Sequence, residues 1–291
     1  MKTSNWIWPC FFIVSCCKSA DPAVPDFATT PVANRLNPGN VLMEASGLVS
    51  SVKQPNLLWS HEDSGSPSDM FLLTNQGKIV SRYSLPIPNF DWEDLAIGPG
   101  PTAGETYLYM ADIGANDNNR NERAIYRFPE PKDGLTPTTR QAIDAIRFRF
   151  PDGGFDSETV ILDPLTKDIF VVTKPLPKAK VYRLAYPQTI DKLVDAQLIG
   201  EMTVGFDLTG GAISPDGKEI IVRAYTAIYY WKRADNETVG QALMRPFDRK
   251  LPYIIEPQGE AVCFDKDGKG YFTLSEIGKA EFVNLYYYER K

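Results

Sequence analysis

Asp91-Trp92-Glu93 and Asp156-Ser157-Glu158 each place two carboxylates one residue apart at the head of an apolar run, and the chain repeats the pattern with variations. The other copies begin at Glu44, Asp207 and Gln258, so their third positions are Ser46, Thr209 and Glu260. Side chains alternate across a strand, which predicts Glu93, Glu158 and Glu260 on one face with Leu95, Val160 and Val262. If that face lines a channel, Ser46 and Thr209 complete the ring, and the first positions Glu44, Asp91, Asp156, Asp207 and Gln258 lie two residues away. Several carboxylates cannot all stay ionised in a narrow channel without a counter-charge. A hard divalent cation such as calcium, which takes six to eight oxygen ligands, is the expected partner, held by Glu44, Glu93, Glu158 and Glu260. Alternatively, the acids cap turns or bond backbone amides and hold the repeats in register.

A second set of polar residues ends the strand that follows each copy. These are His61 and Asp63, Asp112 and Asn116, Lys174, Arg223 and Tyr225, and Glu276. If the copies are related by rotation about one axis, these strand ends gather at one mouth of the channel. His61 is the chain's single histidine and sits among Glu62, Asp63, Ser64 and glycines, which suits a polar loop. There it would act as a general base, with Asp63 and Asp112 as catalytic partners, or simply as a hydrogen-bonded loop residue. Asn116, Lys174, Arg223, Tyr225 and Glu276 are the candidate ligand-binding residues. No G-x-S-x-G elbow accompanies Ser60 or Ser64.

The elements that must carry these residues are short strands. Each copy is followed by β-branched and aromatic runs bounded by Gly, Pro, Asp and Asn, such as residues 57–60, 70–73, 107–110, 169–173, 219–223 and 270–274. Asp216-Gly217 and Asp267-Gly268 mark tight turns. No long 3.6-residue apolar period occurs, so helices should be few. A repeat of about fifty residues made of strands is the signature of a β-propeller. The expected fold is all-β with five blades, six being the alternative if a degenerate blade occupies 91–156. The last blade lacks a fourth strand, and a segment between about 27 and 43 is expected to close the ring, because closure removes exposed strand edges.

Residues 1–15 read as a signal peptide, too short to span a bilayer, and Ile13-Val14-Ser15-Cys16 resembles a bacterial lipobox with Cys16 as the lipidated residue. Residues 16–40, with four prolines among small residues, read as a tether, and 41–291 as the propeller domain. This predicts a membrane-anchored lipoprotein facing the periplasm or cell surface. Cys263, on an apolar run, reads as a small buried hydrophobe. A net charge of −6 argues against nucleic acid as partner.

Glu44-Ala45-Ser46-Gly47-Leu48 and the later Asp-x-Glu strands resemble the SdiA-regulated family of bacterial β-propellers, which is related to NHL-repeat, TolB-like and strictosidine-synthase-like propellers. The resemblance implies five blades and bound calcium. Thr209 departs from the pattern by lacking the acid, and Asp94 and Thr159 stand where small residues are common. Residues 59–65 and 111–116 also resemble secreted propellers labelled esterase-like or phytase-like. Two functions follow from this reading. One is a binding propeller that holds calcium and a small molecule, glycan or protein on its polar face. The other is a metal-assisted hydrolase of esterase, lactonase or phosphatase type.

Overall fold

The computed structural model describes residues 26–36, 41–115, 120–132, 142–174, 178–204 and 207–291. The expectations on residues 1–25, Cys16 among them, and on Asn116 lie outside the described residues. β1 (Val32–Leu36) belongs to the end of the ring. The first blade is β2 (Ala45–Ser50), β3 (Leu57–Glu62), β4 (Asp69–Thr74) and β5 (Ile79–Ser84). The second is β6 (Trp92–Pro99), β7 (Thr106–Asp112), β8 (Arg123–Pro129) and β9 (Asp144–Arg149). The third begins with β10 (Ser157–Leu162), β11 (Ile169–Thr173) and β12 (Lys180–Leu184). Its chain then lays β13 (Val194–Asp195) parallel to β9 before β14 (Gln197–Glu201) completes the blade. The fourth is β15 (Leu208–Ile213), β16 (Glu219–Ala224), β17 (Ala227–Lys232) and β18 (Arg249–Lys250), with a short helix α1 (Val239–Met244) before its last strand. The fifth is β19 (Gln258–Phe264), β20 (Gly270–Glu276) and β21 (Val283–Glu289).

The fold is a five-bladed β-propeller. The interval 91–156 holds one blade, lengthened by its loops, and not two. β1 pairs antiparallel with β21, Val32 opposite Tyr287 and Leu36 opposite Val283, and supplies the outer strand of the fifth blade. This strand lies inside the segment 16–40 read as a tether, so the folded body starts before residue 41. Each tight turn between a first and second strand at Asp216-Gly217 and Asp267-Gly268 has its glycine at positive φ, 73° and 68°.

Core formation follows from the radial arrangement. Both faces of each blade are covered by its neighbours, so five buried apolar clusters form, one at each blade interface. Trp59, Leu72 and Trp92 belong to the first–second interface, and Tyr109, Ile146 and Val171 to the second–third. Phe170, Ile220 and Trp231 fill the third–fourth, and Ile221, Tyr230 and Tyr271 the fourth–fifth. Leu58, Phe71 and Leu285 seal the fifth against the first. Cys263 is buried in that last cluster, as expected.

Candidate functional site at the acidic mouth

The repeated motif forms the innermost strand of every blade, and all five copies carry an extra residue at the same place. The ladder slips between Trp92 and Asp94, Ser157 and Thr159, Leu208 and Gly210, Gly259 and Ala261, and across Ser46-Gly47. In four blades the unpaired residue is the third motif position: Glu93, Glu158, Thr209 and Glu260. A bulge breaks alternation and re-aims a side chain. Simple alternation misses the bulge, through which Asp94, adjacent to Glu93 in sequence, also turns inward to accept the Val160 and Gly211 amides.

At the mouth, two groups of carboxylates share Glu93. Oxygens of Asp63, Asp91 and Glu93 lie within 4.8 Å of one another, as do those of Glu93, Asp156 and Glu158. Burial, reinforced by the charges of Glu158, Asp63 and Asp91, raises the Glu93 pKa well above the usual carboxylate range. Burial likewise pushes Glu158 up to about 8 despite Lys174 beside it, and Asp63 to about 7. The Lys174 ammonium lies 2.6 Å from Glu158 Oε1. Burial disfavours its charge, but Glu158 outweighs this and holds its pKa up. The Tyr225 hydroxyl donates to Glu260 Oε1 at 3.0 Å. Burial raises Glu260 to about 7, and raises Glu276 to about 8 with help from Glu260 and Asp63.

Two further observations describe how these carboxylates are packed. Asp91 Oδ1 and Glu260 Oε2 are buried without a hydrogen-bond partner. Gly114 leaves the space that the carboxylates occupy: a Cβ on it would collide with Glu93 Oε1 and stand 2.6 Å from Asp91 Oδ2. An oxygen-only donor set of this kind suits a hard cation. Of the four expected ligands, Glu93 and Glu158 are in these groups. Glu260 adjoins them through Tyr225 and Lys174, while Glu44 is exposed at the rim, bonded to Ser66. Asp63, Asp91 and Asp156 complete the groups.

The ring positions without an acid use their hydroxyls differently. Ser46 Oγ donates to the Glu93 carbonyl of the next blade, and Thr209 Oγ1 donates to Gly259 O at 2.8 Å in the fifth. They lace neighbouring blades together.

The residues expected to gather at one mouth divide by register. Glu62, Asp112, Thr173, Ala224 and Ser275 are equivalent, each opposite the second motif position. One residue further on, Asp63, Lys174, Tyr225 and Glu276 reach the mouth. One residue earlier, His61 and Arg223 turn between blades. His61 lies on β3 and is 0 % exposed, so it is not a loop residue. Its Nδ1 is 3.0 Å from Glu62 O, and its Nε2 sits against Gly47, where a Cβ would collide with it. Burial lowers its pKa to about 4. Arg223 is sealed under Gly259, paired with Glu256 and donating to Leu274 O at 2.9 Å and Tyr253 Oη at 2.8 Å. Asp112 is buried, ion-paired with Arg120 at 2.6 Å, and accepts the Asp91 amide at 3.1 Å. It supports a mouth residue and does not itself face the mouth.

Asp94 sets the floor of the acidic chamber. Its carboxylate accepts the amides of Leu95 at 2.8 Å, Val160 at 2.9 Å and Gly211 at 3.3 Å, reaching the inner strands of the third and fourth blades. Past it, the inner strands of all five blades line an apolar well of about 420 Å³, with Val49, Leu95, Val160, Leu162, Ile213 and Phe264 on its wall.

No family model matches the chain, and no curated protein matches it. Among solved structures it is similar to a luciferin-regenerating enzyme, at 10% identity and a TM-score of 0.48 over 90% of this chain and 95% of that one. It is also similar to the hydrazine synthase of Kuenenia stuttgartiensis, at 10% identity and 0.46 over 83% and 82% of the two chains. The Dos1 propeller gives 11% identity and 0.39 over 84% and 68%.

Proposed function

We propose that this chain is a cation-binding β-propeller that presents an ion, calcium by its chemistry, at the acidic mouth and uses the surrounding polar residues to hold a ligand. The observation that carries this reading is the pair of carboxylate groups joined at Glu93 with Gly114 leaving their space open. Buried carboxylates with raised pKa values and orphaned oxygens are costly, and a divalent cation removes that cost. Lys174, Tyr225 and Glu276 surround the site as donors and acceptors for a small molecule, glycan or protein ligand. The resemblance of the Asp-x-Glu strands to SdiA-regulated propellers supports the same ion. The lipobox-like segment ending at Cys16 supports anchorage to the bacterial envelope, so the proposed setting is periplasmic or surface-exposed.

The hydrolase reading draws on Asp63 and Glu276, whose pKa values of about 7 and 8 suit a general base beside a bound cation. His61 takes no part in it, being sealed from the mouth.

Thermal unfolding with calcium, with magnesium and with chelator tests the cation. An ion at a thousandfold excess over its dissociation constant adds about 4 kcal/mol. A calcium-dependent rise that Glu93→Gln and Glu158→Gln each diminish, Glu93→Gln the more, is expected; equal melting under all three conditions would refute the reading.

A further inference from the structure

The mouth carries two carboxylate trios and not one. Asp63, Asp91 and Glu93 form the first; Glu93, Asp156 and Glu158 form the second. They come from different blades: Asp63 follows β3 of the first, Asp91 and Glu93 head β6 of the second, and Asp156 and Glu158 head β10 of the third. From this arrangement we infer that the mouth binds two divalent cations, one in each trio, with the Glu93 carboxylate bridging them. The inference rests on the cation reading above and specifies it.

Charge distribution separates the trios. In the second, Lys174 lies 2.6 Å from Glu158 and supplies one positive charge. In the first, none of Asp63, Asp91 and Glu93 makes an ion pair among the described residues, and Asp91 Oδ1 is buried with no hydrogen-bond partner. A cation confined to the second trio would leave the buried, unpartnered Asp91 Oδ1 without one. Glu93 is also the residue best placed to be shared. The bulge pushes it out of the ladder towards the axis. Gly114 leaves its Oε1 free to approach, since any side chain there would occupy that volume. A carboxylate has two oxygens with about four lone-pair directions, enough for an ion on each side. Carboxylate-bridged pairs stand roughly 4 Å apart, a spacing that also lets one ligand oxygen touch both ions.

The backbone holds the outer members still. Asp156 Oδ1 accepts the amides of Ala115 at 2.7 Å and Ser157 at 3.0 Å. Asp63 Oδ1 accepts Ser64 N at 2.5 Å. These amides fix Oδ1 of each carboxylate. An asparagine keeps that bond through its carbonyl oxygen while losing the charge a cation needs, so the amide variants are expected to fold.

The test is ion stoichiometry of the full chain, counted by calcium titration calorimetry and by elemental analysis after dialysis against calcium. Wild type should hold two ions per chain. Asp63→Asn should hold one and Asp156→Asn one, each keeping the wild-type circular dichroism spectrum. Glu93→Gln should weaken both ions by tenfold or more. As a measurement without variants, manganese soaked into crystals should give two anomalous peaks flanking Glu93. One saturable ion in wild type, or one peak, overturns the bridged pair and leaves the cation reading intact. No saturable ion overturns both.

Discussion

Asp94 of the second blade and Gly211 of the fourth are joined by a hydrogen bond of 3.3 Å from the glycine amide to the aspartate Oδ2. In a five-bladed ring these blades are not neighbours, so the bond crosses the axis. The same oxygen accepts Val160 N of the third blade at 2.9 Å. One side chain therefore satisfies inner-edge amides of two other blades at the centre, where no further strand pairs with them.

Replacing Asp94 with alanine should cost about 3 kcal/mol, because it orphans buried amides in three blades. Asp94→Asn should cost less, since one acceptor oxygen remains. Urea unfolding midpoints decide this, and a loss under about 1 kcal/mol for the alanine variant would show that the amides find other partners.

Gly114→Ala separates folding from ion binding. The atoms a Cβ would meet are the ends of the Glu93 and Asp91 side chains, which can swing away. The cation-free melting temperature should stay within about 2 °C of wild type, a shift of about 1 kcal/mol for a domain of this size. The calcium-induced rise should fall by more than half. Retention of the full rise would place the ion elsewhere.

The pH dependence of the chelated protein should carry the mark of the mouth acids. Their folded pKa values, about 7 for Asp63 and Glu260 and about 8 for Glu158 and Glu276, lie above the ordinary 3.8 and 4.5. Protons are thus held by the folded chain and released by the unfolded one, so this stabilisation is complete below about pH 4 and is lost as pH rises to about 8. His61 acts oppositely. Lowered from 6.5 to about 4, its contribution is complete above pH 6.5 and is lost as pH falls towards 4. Between pH 6.5 and 8 the acids alone of these groups act, and stability should fall. Glu158→Gln should fall less, and calcium should flatten or reverse the slope.

A chain beginning at residue 41 lacks β1 and Phe27. Phe27 is fully buried and packs edge-on against Tyr271 with ring centroids 5.0 Å apart. The β21 edge would then be open to other chains. Such a fragment should unfold at least 10 °C lower and self-associate in size-exclusion chromatography. An unchanged midpoint would make β1 dispensable.

Much of this architecture was legible in the repeated motif. Five copies at blade spacing foretell five inner strands, the missing last strand foretells closure by the N-terminal segment, and Glu93 and Glu158 do meet. What alternation could not convey is the bulge, which is a property of pairing between strands and not of either strand alone. It moved Asp94 to the axis and put His61 and Arg223 one step behind the residues that face the mouth. A signal for the buried pair does exist: Gly47 and Gly259 stand in the motif where a side chain would collide with His61 and Arg223. Reading each glycine as space reserved for a neighbour would have moved both residues inward. Asp91 and Asp156 were visible as repeated first positions, yet the approach of Asp91 to Glu93 depends on Gly114 and Asp156 is held by the amide of Ala115, both in the loop after β7.

The pairing of β1 with β21 also orders the birth of the molecule. Four blades are built from segments contiguous, or nearly so, along the chain, and can form as hairpins while translation or translocation proceeds. The fifth cannot. Its outer strand is made first and its inner three last, so the earliest folded segment emerges without its partner and waits for nearly the whole sequence. Pairings between distant segments are slow, because the intervening chain must be drawn together before any contact rewards it. Until that final clasp shuts, the acids of the first, second and third blades belong to an open arc, and the two carboxylate groups joined at Glu93 reach their closed arrangement only after β21 is made.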